Sequence, residues 1–171
     1  MRNTLKFLVA LFVAFILMLA FRALVFTIYT VENADMAPLF RNGDRVMVNR
    51  WSYGLRTGDD GVFSYGRLAR QTVNRNDLIA VDDSVGHVLL CRCLAQPGDT
   101  IYMEGRTIIV PGRSTCAHQD YYYVSPLGKC ENTMLLPEKY IIGRAFLIIY
   151  SHDSEKPFWA GYDSQRLLLP I

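Results

Sequence analysis

From Phe7 to Phe21 every residue is apolar, and after a single Arg22 the run continues through Ala23, Leu24, Val25 and Phe26. Those twenty residues, at about 1.5 Å each, make a helix of about 30 Å, the hydrocarbon thickness of a bilayer. A cleaved leader also places basic residues before its apolar run, as Arg2 and Lys6 stand here. No small-x-small site follows, however, because Ala20 is succeeded by Phe21 and Arg22, and the run is long for a leader. The sequence therefore favours an uncleaved anchor. Basic residues on the short flank hold that end in the cytoplasm. The expectation is a cytoplasmic flank over 1–6, a transmembrane anchor over 7–26 and one extracytoplasmic β domain over 27–171, in the inner (cytoplasmic) membrane. Arg22, near the far end of the span, can carry its guanidinium to the outer headgroups.

The 171 residues leave no room for two ordinary domains beside such a span. A net charge of +2 without long runs of either sign gives no basic stripe to track a phosphate backbone, which excludes nucleic acid as a partner. The four cysteines, Cys91, Cys93, Cys116 and Cys130, fit no zinc spacing. No metal and no cofactor are expected. Cys91 and Cys93, two apart in a strand-like run, point to one face, where a bridge rarely forms. Cys116 and Cys130 flank a polar, aromatic loop and could pair in an oxidising compartment.

Beyond the apolar run, short Val-, Ile- and Tyr-rich segments alternate with turn residues. Strands are expected over Arg45–Asn49, Leu78–Val81, Val88–Leu94, Thr100–Met103, Thr107–Val110, Tyr121–Val124 and Arg144–Tyr150. Asn42-Gly43-Asp44, Pro97-Gly98-Asp99 and Glu104-Gly105-Arg106 are turns, the last closing a tight hairpin. The fold class is mainly β and antiparallel, in a closed or sandwiched sheet. The stretch 59–76 is expected as a surface excursion, and the last ten residues as frayed or lying on the membrane surface.

Val31-Glu32-Asn33-Ala34-Asp35-Met36-Ala37-Pro38-Leu39-Phe40-Arg41-Asn42-Gly43-Asp44, then Val48-Asn49 and Tyr53-Gly54, resembles without gaps the Pro-Ser-x-Ser-Met-x-Pro-Thr-Leu box of the signal peptidase I family and the strand after it. Met36, Pro38, Gly43 and Asp44 fall on family positions. Cys91-Arg92-Cys93-Leu94-Ala95-Gln96-Pro97-Gly98-Asp99 resembles the family's Lys-Arg-x-x-Gly-x-Pro-Gly-Asp element and keeps Arg92, Pro97, Gly98 and Asp99. Leu136-Pro137 through Ile141, Gly143 and Ala145 resembles a third family strand. The family's Gly-Asp-Asn-Arg-Asp-Asn-Ser element is barely recognisable in Ser125–Thr133.

The resemblance implies a membrane-tethered β scaffold of the signal peptidase I type. Family members cut after a small-x-small motif with a serine deprotonated by a buried neutral lysine. Here Asp35 stands at the serine position and Cys91 at the lysine position. A carboxylate is a weak nucleophile toward an amide, and a thiol cannot replace the base. Losing both members removes the chemistry, since such units fail on losing one. The expected reading is a catalytically inactive homologue that binds signal peptides or assists an active signal peptidase. Alternatives are an active peptidase with rearranged residues and a structural or thiol-dependent envelope protein.

Asn33, at the place of a family serine that helps to bind the oxyanion, is either a remaining donor or a turn residue. Met36 is either part of an apolar groove or a packed core side chain. Cys91 itself reads best as a small buried hydrophobe on a core strand. Asp44 and Asp99, in Gly-Asp turns, read as turn caps rather than as acid partners of Asp35.

Overall fold

A computed structural model describes residues 2–31, 39–58, 64–82, 88–103, 105–116, 119–127, 133–153, 156 and 160–171. Asn33, Asp35, Met36, Pro38 and Cys130 lie outside the described residues.

Among the described residues one α-helix, α1 (Arg2–Val25), leads directly into the first of twelve strands. These are β1 (Phe26–Thr30), β2 (Asp44–Asn49), β3 (Leu55–Thr57), β4 (Gly66–Leu68), β5 (Leu78–Asp82), β6 (Val88–Ala95), β7 (Thr100–Met103), β8 (Arg106–Ile109), β9 (Tyr121–Pro126), β10 (Met134–Pro137), β11 (Ile141–Ser151) and β12 (Leu169–Pro170). The seven strands expected from the alternating pattern are all present. β1 is not marked in the sequence, because no turn residue separates it from the helix and its first residue, Phe26, ends the apolar run. It is the β2 partner that turns Phe26 from a helix end into a sheet edge, with Phe26 opposite Asn49.

The large described side chains of α1 between Leu5 and Phe21 are exposed on every side of the helix. Among the described residues no helix is long and apolar enough to cross a membrane. The transmembrane assignment over 7–26 is accordingly not established by the structure, and its last residue belongs to β1.

The main sheet runs β1-β2-β11-β5-β6-β9-β10, with β12 on β11, and its recorded pairs are antiparallel. β3–β4 and β7–β8 form separate two-stranded ribbons. Among the described residues β1 and β10 end the path without a further partner, so the sheet described is open rather than closed. Central strands β5 and β6 instead carry apolar residues on both faces, because each face has its own core. Leu78, Ala80 and Leu90 pack with Val31, Phe40, Val46, Val48, Ala145 and Ile148 on one side. Ile79, Val81, Cys91 and Cys93 pack with Tyr53, Val73, Tyr122, Val124, Leu136 and Ile141 on the other.

Two expectations from the sequence are corrected in part. Most described residues of the stretch 59–76 are exposed, as a surface excursion requires, but Val73 is buried in the second core and the Arg67 side chain is 1% exposed, held against Glu138. The last ten residues are not frayed. Asp163 accepts from the Gln165 N–H to start a turn over Ser164–Arg166, β12 adds to β11, and the Ile171 N–H donates to the Phe146 carbonyl at 3.1 Å.

Candidate functional site

The two described ends of the first resemblance box are tied together. The Val31 N–H donates to the Asp44 carbonyl at 2.8 Å, and the Gly43 N–H donates to the Val31 carbonyl at 2.9 Å. Gly43 adopts φ +90°, and a Cβ there would collide with the His152 carbonyl, so the turn admits only glycine. Buried Val31 and Phe40 anchor the two sides of the loop in the first core.

Asp44 beneath it is fully buried. Its carboxylate accepts from the Arg41 N–H at 2.8 Å and from the Arg166 guanidinium through Nε at 3.2 Å and Nη2 at 2.6 Å. Arg166 Nη2 also donates to the Leu39 carbonyl at 2.8 Å, so one arginine fastens the turn and the loop's end together. Asp44 therefore caps its turn and forms a forked buried ion pair. The role of Arg166 is invisible locally, because its partner stands 122 residues earlier.

In the second box, Cys91 lies on β6 between Ile79 of β5 and Pro126 of β9. It has no exposed surface and faces the second core, opposite the face on which Val31 and Phe40 pack. Burial alone pushes its thiol up to about 12 from an ordinary 9.0. Cys93 shares that face, and burial, aided by the negative charges of Asp77 and Asp99, raises it to about 11. Arg75 pulls the Cys93 thiol the other way but is outweighed, so neither thiol is a thiolate at neutral pH. Cys116 carries a free, half-buried thiol. Its expected partner, Cys130, lies outside the described residues.

These environments make a prediction. At pH 8, iodoacetamide should modify Cys116 in the folded protein and leave Cys91 and Cys93 untouched until denaturant is added, as mass spectrometry of digests can read. Because the folded thiols titrate above the unfolded ones, they stabilise the fold fully below pH 9 and lose that contribution as pH rises toward 12.

The turn Pro97-Gly98-Asp99 is built like the first. Gly98 adopts φ +91°, and Asp99 accepts from the Gln96 N–H at 2.7 Å and from Arg75 at 2.7 and 3.1 Å. The Arg75 guanidinium and that backbone bond hold the Asp99 carboxyl below its ordinary value. Asp99 thus has a structural partner of its own, as the turn-cap reading requires.

Arg92, next to Cys91, points the other way. It is half-buried and lines a cleft of about 300 Å³ with Leu39, Asp77, Leu78, Arg144, Ala145 and Ile148. Asp77 is nearly buried and its carboxylate is occupied: Oδ2 accepts from the Tyr53 hydroxyl at 2.9 Å and the Asn74 N–H at 3.1 Å, and Oδ1 lies 3.3 Å from Arg144. That bond to Asp77 adds to burial in pushing the Tyr53 hydroxyl well above its usual range. Among the described residues no cluster of His, Cys, Asp and Glu is arranged to hold a metal ion. The third resemblance stretch spans β10 and the start of β11, where Gly143 lets β11 cross the Asn49 backbone with no room for a Cβ.

Comparison with known proteins agrees with these boxes. No curated protein matches the chain. Residues 4–139 match the family described as Signal peptidase, peptidase S26. That match covers most of the chain, and the chain belongs to the signal peptidase family.

Proposed function

We propose that this chain is a membrane-anchored signal peptidase homologue that holds signal peptides without cutting them. The observation that carries the proposal is the surrounding of Cys91: where family members place a base, this chain has a thiol sealed in an apolar core. Such a group supplies no proton acceptor at neutral pH. Asp35 at the serine position adds no competent nucleophile for an amide. The loop base at Val31, Gly43 and Asp44 is nevertheless intact, as a binding role requires.

Anchoring is supported by α1. Its apolar side chains face outward all round, and such a surface is stable only in apolar surroundings. With 7–26 as the span, the basic Arg2 and Lys6 set the N-terminus in the cytoplasm and the β domain outside.

The test is photo-crosslinking. A synthetic signal peptide ending in Ala-x-Ala followed by mature residues, with benzoylphenylalanine in its apolar stretch, is mixed with the full chain in detergent. The expected result is an adduct on the β domain, absent with a scrambled peptide, and a peptide of unchanged mass. Equal labelling by the scrambled peptide would remove the binding role.

A further inference from the structure

We propose that the segment Leu167–Ile171 is an autoinhibitory strap. It covers one edge of β11 and walls the cleft beside Leu39, and its release opens that edge to an extended apolar polypeptide segment. The strap acts at β11, whether or not the box loop holds a signal peptide.

The two halves of β11 have different neighbours on the side away from β2. Ile141, Gly143 and Arg144 pair with β5, which begins at Leu78 and leaves the rest of that edge without it. The strap takes the vacant strand position. Leu169 and Pro170 stand opposite Ile148 and Leu147, and the Leu168 and Ile171 N–H groups donate to the Ile149 and Phe146 carbonyls, each at 3.1 Å. A bare strand edge is a template for any extended chain, and this one is occupied by a segment of its own protein.

The strap is built to lift. Leu167 and Leu168 are each 61% exposed, Leu169 also faces solvent, and only Ile171 packs against the first core. Leu168 adopts φ +53°, a left-handed conformation that costs a bulky side chain strain. The residue before the strap is firmly held: Arg166 is buried against Asp44 and donates to the Leu39 carbonyl. A fixed anchor, then a strained residue, then a two-residue pairing makes a hinge. Opening relieves Leu168 and sacrifices little beyond that short pairing and the packing of Ile171, so the strap belongs to the least stable part of the sheet.

Lifting it widens the cleft of about 300 Å³ into a groove along β11. Leu39, Leu78, Ala145 and Ile148 give the groove an apolar wall, and the freed Phe146 and Ile149 carbonyls accept the backbone of an incoming strand. The strap's own sequence is the one ligand already seen in that position.

Amide exchange of the intact chain in detergent, read by mass spectrometry, tests the hinge. The Ile171 amide should exchange roughly a hundredfold faster than the amides of β11. Leu168→Gly should slow it about fivefold, because glycine takes the left-handed conformation without strain. Equal protection of strap and β11 would overturn the proposal, as would exchange in Leu168→Gly that is unchanged or faster. The groove is tested by deleting residues 167–171 and adding the same five residues in trans, as a fluorescein-labelled peptide behind a Gly-Ser-Gly spacer, with polarisation as readout. The expected result is binding roughly tenfold tighter to the folded deletion variant than to the intact chain, and none by a peptide with serines in place of the leucines. Equal binding to both proteins, or to neither, would overturn the groove. The exchange measurements need no deletion, so they decide the hinge even if that variant misfolds, and no signal peptide enters either test.

Discussion

Arg166→Met is expected to cost about 3–5 kcal/mol of stability, the usual consequence of leaving one member of a buried ion pair alone. Asp44 is fully buried, and its two oxygens accept Arg166 Nε and Nη2 at 3.2 and 2.6 Å. Methionine fills much of the arginine's volume, so the loss is electrostatic rather than a cavity. The stranded carboxylate keeps only the Arg41 N–H, and the Leu39 carbonyl loses its donor. Denaturant unfolding in detergent, followed by tryptophan fluorescence, reads the change. The double variant Asp44→Asn/Arg166→Met should recover part of it, because the amide still accepts from Arg41 while the unpaired charge is gone. A double variant no more stable than the single would mean that packing, not charge, sets the cost.

Arg67→Met should be comparably damaging, again about 3–5 kcal/mol. The Arg67 side chain is 1% exposed, and its guanidinium donates to the Tyr65 hydroxyl at 2.7 Å and to the Gly54 and Glu138 carbonyls at 3.1 and 2.9 Å, and also to the Ile141 carbonyl. It also lies 3.4 Å from the Glu138 carboxylate, whose Oε1 has no hydrogen bond of its own. Without Arg67, Glu138 depends on Arg70, which it shares with Asp120. The control is Arg75→Met. Its guanidinium pairs with Asp99 at the surface, and exposed pairs are worth no more than about 1 kcal/mol. Equal losses from the two variants would refute the distinction between them.

Both arginines mark the boundary of what the sequence makes legible. Strands such as β5 and β6 announce themselves through dense β-branched and apolar residues between turns. The box around Gly43 and Asp44 is legible because turn chemistry is local. Ion pairs are not local: Asp44 meets Arg166 across 122 residues, and Arg67 meets the Glu138 carbonyl across 71. Arginines and glycines in 59–76 therefore suggest a solvated loop, yet Arg67 and Val73 are interior. Sheet closure was misjudged for a related reason. Regular strand spacing marks where strands lie, whereas whether a sheet closes depends on which strands pair and on what packs over each face.

The candidate site divides in the same way. Asp35 and Cys91 are found by matching short boxes, but the packing of Cys91 opposite Ile79, and the placing of Arg92 at a cleft on the other face, need the pairing of β6 with β5 and β9. Adjacent residues of one strand thus have opposite fates, one sealed among apolar side chains and one facing a cleft.

The central claim is that a signal peptidase scaffold persists here without the peptidase chemistry. Its most direct test is incubation of the purified full chain in detergent with a preprotein carrying an Ala-x-Ala signal peptide, with the products read by mass spectrometry. The account predicts that the preprotein stays intact over hours in which an active family member processes it completely. Cleavage after the Ala-x-Ala motif that disappears in Asp35→Ala or Cys91→Ala would contradict it.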